Sequence, residues 1–420
     1  MHRVDIGQTV VDRFLRYVQY DTQSSEESRT YPSTEKQKDL SRVLVDELKE
    51  LGLDDATIDG YGYVTATLGS NCMRSVPTIG LIAHVDTSPE ISGKDVKPQL
   101  HQSYRGEDIV LPGDRTQIVR PSESPELSKK IGHDIITSDG TTLLGADDKA
   151  GIAEIMDAIH YLVNHPEVEH GEIKVAFTPD EEVGSGVKYF DVVKFGAKYA
   201  YTLDGETIGE IEDETFCADT VFLTFHGVAF HPGYAKGKLV NSVKIASDFI
   251  NRLPRDTLSP ETTELKEGYI NPNDIRGGVD KTEIKLTIRD FEEEGLEKKE
   301  EVIRKLADEI LRNYPRGRVE SRVEKSYRNM KHILQNHPLV LQKAEEATRM
   351  TGLEPKRHSI RGGTDGARLS YMGLPTPNIA TGGHNFHSRL EWISVQDMKK
   401  AVEIIVNLAR AWASLQGALS

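Results

Sequence analysis

Three β-prone runs in this chain, 78–83, 172–177 and 199–203, each give way to a short polar stretch rich in acids or carrying a histidine. These stretches are Ala83-His84-Val85-Asp86-Thr87, Thr178-Pro179-Asp180-Glu181-Glu182-Val183-Gly184 and Thr202-Leu203-Asp204-Gly205. A helix-like segment, 150–163, separates the first two runs, and that alternation predicts an α/β sheet. Open α/β sheets build their sites at strand ends, so ligand-type side chains fall where such a fold gathers its chemistry.

The rest of the chain fits around this sheet. Apolar residues at Ile6, Val10, Val11, Phe14 and Val18 trace one face of a helix over 6–20. A second helix carries Leu40, Val43, Leu44, Leu48 and Leu51 and stops near Gly52, with Thr34 and Gln37 spaced as a capping box at its start. From about 216 to 325 the pattern changes to strand (221–225), helix (240–253), strand (284–291), helix (297–313) and strand (319–324), which suits a small α+β unit. Helical patterns at 338–350 and 395–408 then flank a Gly-rich loop region, 361–387. A chain of 420 residues exceeds one compact core in most architectures. The expected organisation is a first domain in two parts, 1–213 and 327–420, with an inserted domain at 214–326.

Composition narrows the partners. A formal charge of -15 without a dense Lys/Arg block lacks the electrostatic footprint of a nucleic-acid or anionic-membrane binder. No run approaches the ~20 apolar residues that span a bilayer, and the N-terminus shows no signal-peptide pattern. Cys72 and Cys217 are too few for a secreted disulfide framework. The expectation is a cytoplasmic protein that acts on small molecules.

Each polar stretch has an ordinary structural reading beside a chemical one. A strand-end His-x-Asp such as His84 and Asp86 serves as a polar cap, or as a metal ligand and the group that orients it. Leu144-Gly145-Ala146-Asp147-Asp148-Lys149-Ala150-Gly151 leads into a helix, where acids also stabilise the N-terminus. The run Asp180-Glu181-Glu182 needs solvent, protons or cations to relieve its repulsion. Gly382-Gly383-His384-Asn385-Phe386-His387 supplies two further imidazoles. Together, histidines and carboxylates favour zinc, cobalt or manganese over calcium.

These residues resemble the peptidase T family, the tripeptide aminopeptidases within the larger family of two-zinc exopeptidases that includes carboxypeptidase- and deacylase-type members. The resemblance runs nearly end to end. It takes in Asp21-Thr22-Gln23-Ser24, Pro32-Ser33-Thr34-Glu35, His84-Val85-Asp86-Thr87-Ser88-Pro89, the run from Asp139 to Gly151, Arg361-Gly362-Gly363-Thr364-Asp365-Gly366 and Asn385-Phe386-His387. It implies a mixed-sheet dinuclear metallopeptidase domain with a smaller α+β lid inserted. By resemblance Asp147 bridges two divalent ions, most often zinc. His84 and Asp204 complete one site, and Glu182 and His387 complete the other, with His384 the alternative to His387. Asp86 matches the residue that orients His84, and Glu181 matches the general base. A cis peptide between Asp147 and Asp148 is also implied. Three ligand carboxylates against two dications leave one positive charge, which lowers the pKa of a bound water; Glu181 would take its proton and pass it to the leaving amine.

In the inserted unit, the histidine of Phe230-His231-Pro232-Gly233 and Asn241 have plain turn and helix-cap readings. By resemblance, His231 helps stabilise the oxyanion and Asn241 faces substrate. A tripeptide differs from longer peptides by its nearby carboxylate, which arginine grips bidentately. Arg289 and Arg361 match the positions the family uses for this, against plain readings as a sheet-edge ion pair and a loop anchor. The implied activity is removal of the N-terminal residue from tripeptides, and the family permits a homodimer. The rivals are a two-metal dipeptidase, carboxypeptidase or N-acyl amino acid deacylase, and, in another class, a noncatalytic metal- or peptide-binding protein.

Overall fold

A computed structural model of the chain describes residues 9–415. The chain divides into two compact units, one of Met1–Asp213, Met330–His358 and Thr364–Ser420, the other of Glu214–Asn329 and Ser359–Gly363. The short segment Ser359–Gly363 joins the second unit, where the Phe216 N–H donates to the Gly362 carbonyl and Arg361 donates to the carbonyls of Leu265 and Glu267.

The first unit is built on an eight-stranded sheet. In chain order its strands are β1 (Thr57–Ile58), β2 (Val64–Leu68), β3 (Ile79–His84), β4 (Ile173–Thr178), β5 (Tyr199–Gly205), β6 (Glu210–Thr215), β7 (Lys356–Ile360) and β8 (Asn378–Ala380). Their spatial order is β1-β2-β4-β3-β5-β8-β6-β7. β4, β3, β5 and β8 run parallel, whereas β2 and β6 pair antiparallel to their neighbours. Parallel central strands are covered on both faces, so they read as continuous apolar runs. Every residue of β3 is buried, with Leu81 and Ala83 in one core cluster and Ile82 in another. Because β3, β4 and β5 share a direction, their C-terminal ends lie along one edge, and these ends carry His84, the 179–184 turn and Asp204.

Helix α1 (Thr9–Tyr17) buries Val10, Val11 and Phe14, each contributing about 1.5–3 kcal/mol by leaving water. Ile6, expected in the same stripe, lies outside the described residues. Helix α2 (Gln37–Glu50) starts without the expected capping box: Lys36 occupies the cap position, Thr34 donates to the Gln23 carbonyl, and the Gln37 amide reaches Asp180 as well as Thr34. Helix α3 (Ala146–Asn164) lies close against β5. A Cβ at Gly151 would stand 2.0 Å from the Leu203 carbonyl oxygen, so only glycine lets the start of α3 approach the strand that bears Asp204. The peptide between Asp147 and Asp148 is cis.

The second unit has a four-stranded antiparallel sheet in the order Tyr269–Gly277, Lys281–Asp290, Cys217–His226, Arg318–Lys325, packed by helices Ser242–Arg252 and Glu293–Leu311. The strand Tyr269–Gly277 has no counterpart in the sequence expectation. It lies at the sheet edge and is bulged between Pro272 and Asp274, where proline and polar residues mask the alternation of a strand. Among the described residues no helix is long and apolar enough to cross a membrane.

Candidate metal centre

The strand ends and the start of α3 bring two groups of three ligand-type side chains together, and both groups share Asp147. The first is His84, Asp147 and Asp204; the second is Asp147, Glu182 and His387. Within each group the offered atoms lie within 4.8 Å of one another. The two oxygens of Asp147 face different imidazoles: Oδ1 is 2.9 Å from His84 Nε2, and Oδ2 is 3.1 Å from His387 Nε2. Glu182 Oε2 is 2.9 Å from the same His387 nitrogen, and Asp204 Oδ1 is 3.6 Å from His84 Nε2. The other nitrogen of His84 is fixed by Asp86, 3.0 Å from its main-chain oxygen and 3.4 Å from Oδ1.

Electrostatics shows what the cluster lacks. Burial, followed by the charge of Asp147, raises the Glu182 carboxyl to about 8 and Asp204 to about 6. Burial would lower the His387 imidazole, but Asp147 and Glu182 outweigh it and hold it at about 11. Burial likewise opposes the charged form of Asp147, yet hydrogen bonds from His387 and His84 draw its carboxyl well below the usual range. Crowded acids that must share protons with imidazoles form a site short of positive charge. Glu182 Oε1 is buried with no hydrogen-bond partner among the described residues, and a cation would satisfy it by direct coordination. Two imidazoles and three carboxylates arranged around a shared aspartate fit two divalent ions.

Glu181 stands beside this cluster and offers no atom to either group. Desolvation raises its carboxyl well above the ordinary value; His84 opposes the shift, while Asp365, Asp204 and Glu182 add to it. Its backbone is held by Asp86, whose Oδ1 accepts from the Glu181 N–H at 3.0 Å and whose Oδ2 accepts from the Glu182 N–H at 3.2 Å. Asp86 therefore anchors the acidic turn as well as His84. His384 is buried, with its ring 4.4 Å from that of Trp392, and belongs to neither group.

The four candidates in the second unit have local contacts. His231 Nδ1 accepts from the Gly233 N–H at 3.2 Å, and Asn241 Oδ1 caps the helix Ser242–Arg252 through the Val243 N–H at 2.9 Å. Arg361 donates to Leu265, Glu267 and Thr263 and lies over the rings of Phe216 and Tyr269. Among the described residues, Arg289 donates to the adjacent Ile288 carbonyl at 3.3 Å and lies over Tyr327, a sparser set of hydrogen bonds than that of Arg361.

Sequence reasoning missed Glu391. Its Oε2 accepts from the Leu144 and Gly145 N–H groups at 2.8 Å, and Oε1 accepts from the Asp147 N–H at 3.1 Å. One buried carboxylate thus ties the loop that follows His387 to the loop that delivers Asp147. Nothing local in Leu390-Glu391-Trp392 signals this, because all three partners lie more than 200 residues away. Glu391→Ala is expected to weaken metal binding by about 10–100-fold, the usual effect of removing a group that orients a ligand. Equilibrium dialysis checks this, and unchanged affinity would show that Asp147 does not depend on the brace.

Comparison with known proteins agrees with this geometry. A family model, peptidase family M20/M25/M40, matches residues 139–411. Peptidase T of Caldanaerobacter subterraneus subsp. tengcongensis is 51% identical over 403 residues, covering 96% of this chain and 98% of the relative. Peptidase T of Clostridium perfringens strain 13 is 50% identical over 404 residues, covering 96% and 99%. Among solved structures, aminopeptidase PepT from Bacillus cereus superposes with a TM-score of 0.74 at 26% identity, covering 97% of this chain and 99% of that one. The chain belongs to peptidase family M20/M25/M40, within its peptidase T branch.

Proposed function

We propose that this metallo-exopeptidase is a tripeptide aminopeptidase that works with two divalent metal ions, zinc above all, held by His84, Asp147, Asp204, Glu182 and His387. The observation that carries the reading is Asp147, with one oxygen toward His84 and the other toward His387, beside a glutamate that joins neither group. Imidazole with carboxylate is a donor set for zinc, with cobalt and manganese as substitutes. When bound, such ions polarise a carbonyl and lower the pKa of water toward neutrality.

The chain's own residues supply the rest. Glu181 takes a proton from the attacking water on its carboxylate and returns it to the departing amine nitrogen. Asp86 fixes the His84 ring and the backbone of Glu181 together. His231 is assigned to the oxyanion and Asn241 to the substrate. Arg289 and Arg361 are the candidates for the C-terminal carboxylate, and the sparser hydrogen bonding of Arg289 favours it. Arg289→Ala is expected to raise KM for Ala-Ala-Ala with little change in kcat, the mark of lost uniform binding. An unchanged KM would remove Arg289 from the substrate site.

Two free cysteines accord with a reducing, cytoplasmic setting. A peptide-length series tests the activity. Release of N-terminal alanine from Ala-Ala-Ala, with little from the dipeptide, the tetrapeptide or an N-acylated tripeptide, is the expected result. Preferential dipeptide cleavage, C-terminal release or deacylation would each assign the centre to another substrate.

A further inference from the structure

The segment 20–37 supplies no atom to either metal-ligand group, yet it touches three of the segments that carry the site: the chain after β3, the start of α3 and the acidic turn. Residues 22–24 run beside the chain that follows β3. Gln23 pairs with Thr87 in a parallel bridge, the Ser24 N–H donates to the Thr87 carbonyl, and the Gln23 amide donates to the carbonyls of Ser88, Pro89 and Ile91 at 3.0–3.2 Å. The Tyr20 carbonyl accepts from the buried Lys149 ammonium at 2.7 Å, at the start of α3.

Residues 33–37 grip the acidic turn. Asp180 Oδ2 accepts from the Ser33 N–H at 2.6 Å, and Oδ1 accepts from the Ser33 hydroxyl at 2.5 Å and the Gln37 amide at 2.7 Å. In return the Asp180 N–H donates to Gln37 Oε1 at 3.1 Å. Both Asp180 and Gln37 are buried. The segment is tied to itself by the Ser25 N–H on the Ser33 hydroxyl, by Thr34 on the Gln23 carbonyl and by Lys36 beside Asp21. Asp180 sits at φ +60°, in the left-handed region, so the chain turns sharply just before Glu181. From the other side Asp86 holds the N–H groups of Glu181 and Glu182. The turn is gripped on two sides, and the two side chains it projects are the metal-ligand candidate and the proton carrier.

We propose that Ser33, Gln37 and Asp180 are positioning residues that aim Glu181, with the segment 20–37 acting as a strap that registers the acidic turn against the end of β3. Of the three consecutive acids, the first is an anchor: its two oxygens accept three hydrogen bonds and it belongs to neither ligand group. The proposal rests on the reading of Glu181 as the proton carrier. A small error in aim is enough to matter, because misplacement by about 1 Å costs on the order of 100-fold in rate.

Asp180→Asn and Ser33→Ala test this in the full-length, metal-loaded enzyme. Asparagine tolerates the left-handed conformation and keeps the volume, so the first variant is expected to fold. Its NH2 group would face donors instead of accepting from them. The expected result is a kcat lower by about 10–100-fold, KM within about twofold, full metal content and an unshifted Tm. Hydrogen exchange of the Glu181 and Glu182 amides should speed up by about tenfold while the amides of β3 and β4 stay as they were. Ser33→Thr, which keeps the hydroxyl, should restore most of kcat. Unchanged kcat in both variants would overturn the proposal, as would a fall in kcat that only tracks lost metal or a lowered Tm. The wild-type assay is read first: an inactive wild type refutes the role of Glu181, whereas an active wild type with unaffected variants refutes the strap alone.

Discussion

Glu181→Ala is expected to lower kcat on Ala-Ala-Ala by about 10²–10⁴-fold while the protein keeps its metal ions. The two parts of this result have separate causes. Activity falls because the neighbouring carboxylates have other work: Asp147, Glu182 and Asp204 belong to the ligand groups, Asp86 accepts from two backbone N–H groups, Asp148 accepts from the His84 N–H at 3.0 Å, and Asp365 accepts from the Thr178 hydroxyl at 2.8 Å. Metal stays because Glu181 offers no atom to either group. Steady-state kinetics and metal analysis on one preparation check both parts. A variant that loses its metal would make Glu181 a ligand, and a variant with full activity would remove it from the mechanism. A noncatalytic metal binder has no use for such a residue, so this substitution also separates the enzyme from that rival.

Asp147→Ala should be the most damaging single change at the centre. Its Oδ1 and Oδ2 serve different groups, so one substitution removes a donor from both. Both ions should bind more weakly by well over the ~10–100-fold typical of losing an outer partner, and hydrolysis should fall below detection. His387→Ala provides the contrast, since it strips a donor from the second group only and should leave the first ion in place. Calorimetric titration of the metal-free proteins distinguishes the two. Loss of one ion from Asp147→Ala, with the other bound as in wild type, would contradict a shared aspartate.

Much of the fold and site can be read from the sequence because the relevant signals are local. β3, β4 and β5 are short buried runs followed at once by polar residues, and a parallel sheet places all three ends on one edge. That rule alone gathers His84, Glu181, Glu182 and Asp204. Pairing them with Asp147 and His387 takes family resemblance, since nothing in a loop's composition says which strand end it meets.

The parts that sequence reasoning missed depend on distant partners. Gln37 has the spacing of a capping residue for Thr34, but a buried aspartate 143 positions on competes for its amide and its carbonyl oxygen. Glu391 looks like an ordinary acid before a strand until its three backbone donors are seen. The edge strand Tyr269–Gly277 was hidden by Pro272 and a bulge, features an edge tolerates and a central strand does not. In each case tertiary structure supplied a hydrogen-bond partner or relieved a constraint that local pattern cannot show.

Metal reconstitution decides whether the chain works through a two-ion centre. The protein is stripped with a chelator, shown to remain folded, and titrated with Zn2+ while bound metal and Ala-Ala-Ala hydrolysis are followed together. Two ions per chain, no hydrolysis in the stripped protein, and full recovery as the sites fill are the expected results. A saturating stoichiometry of one ion, or undiminished hydrolysis without metal, would contradict a two-ion centre.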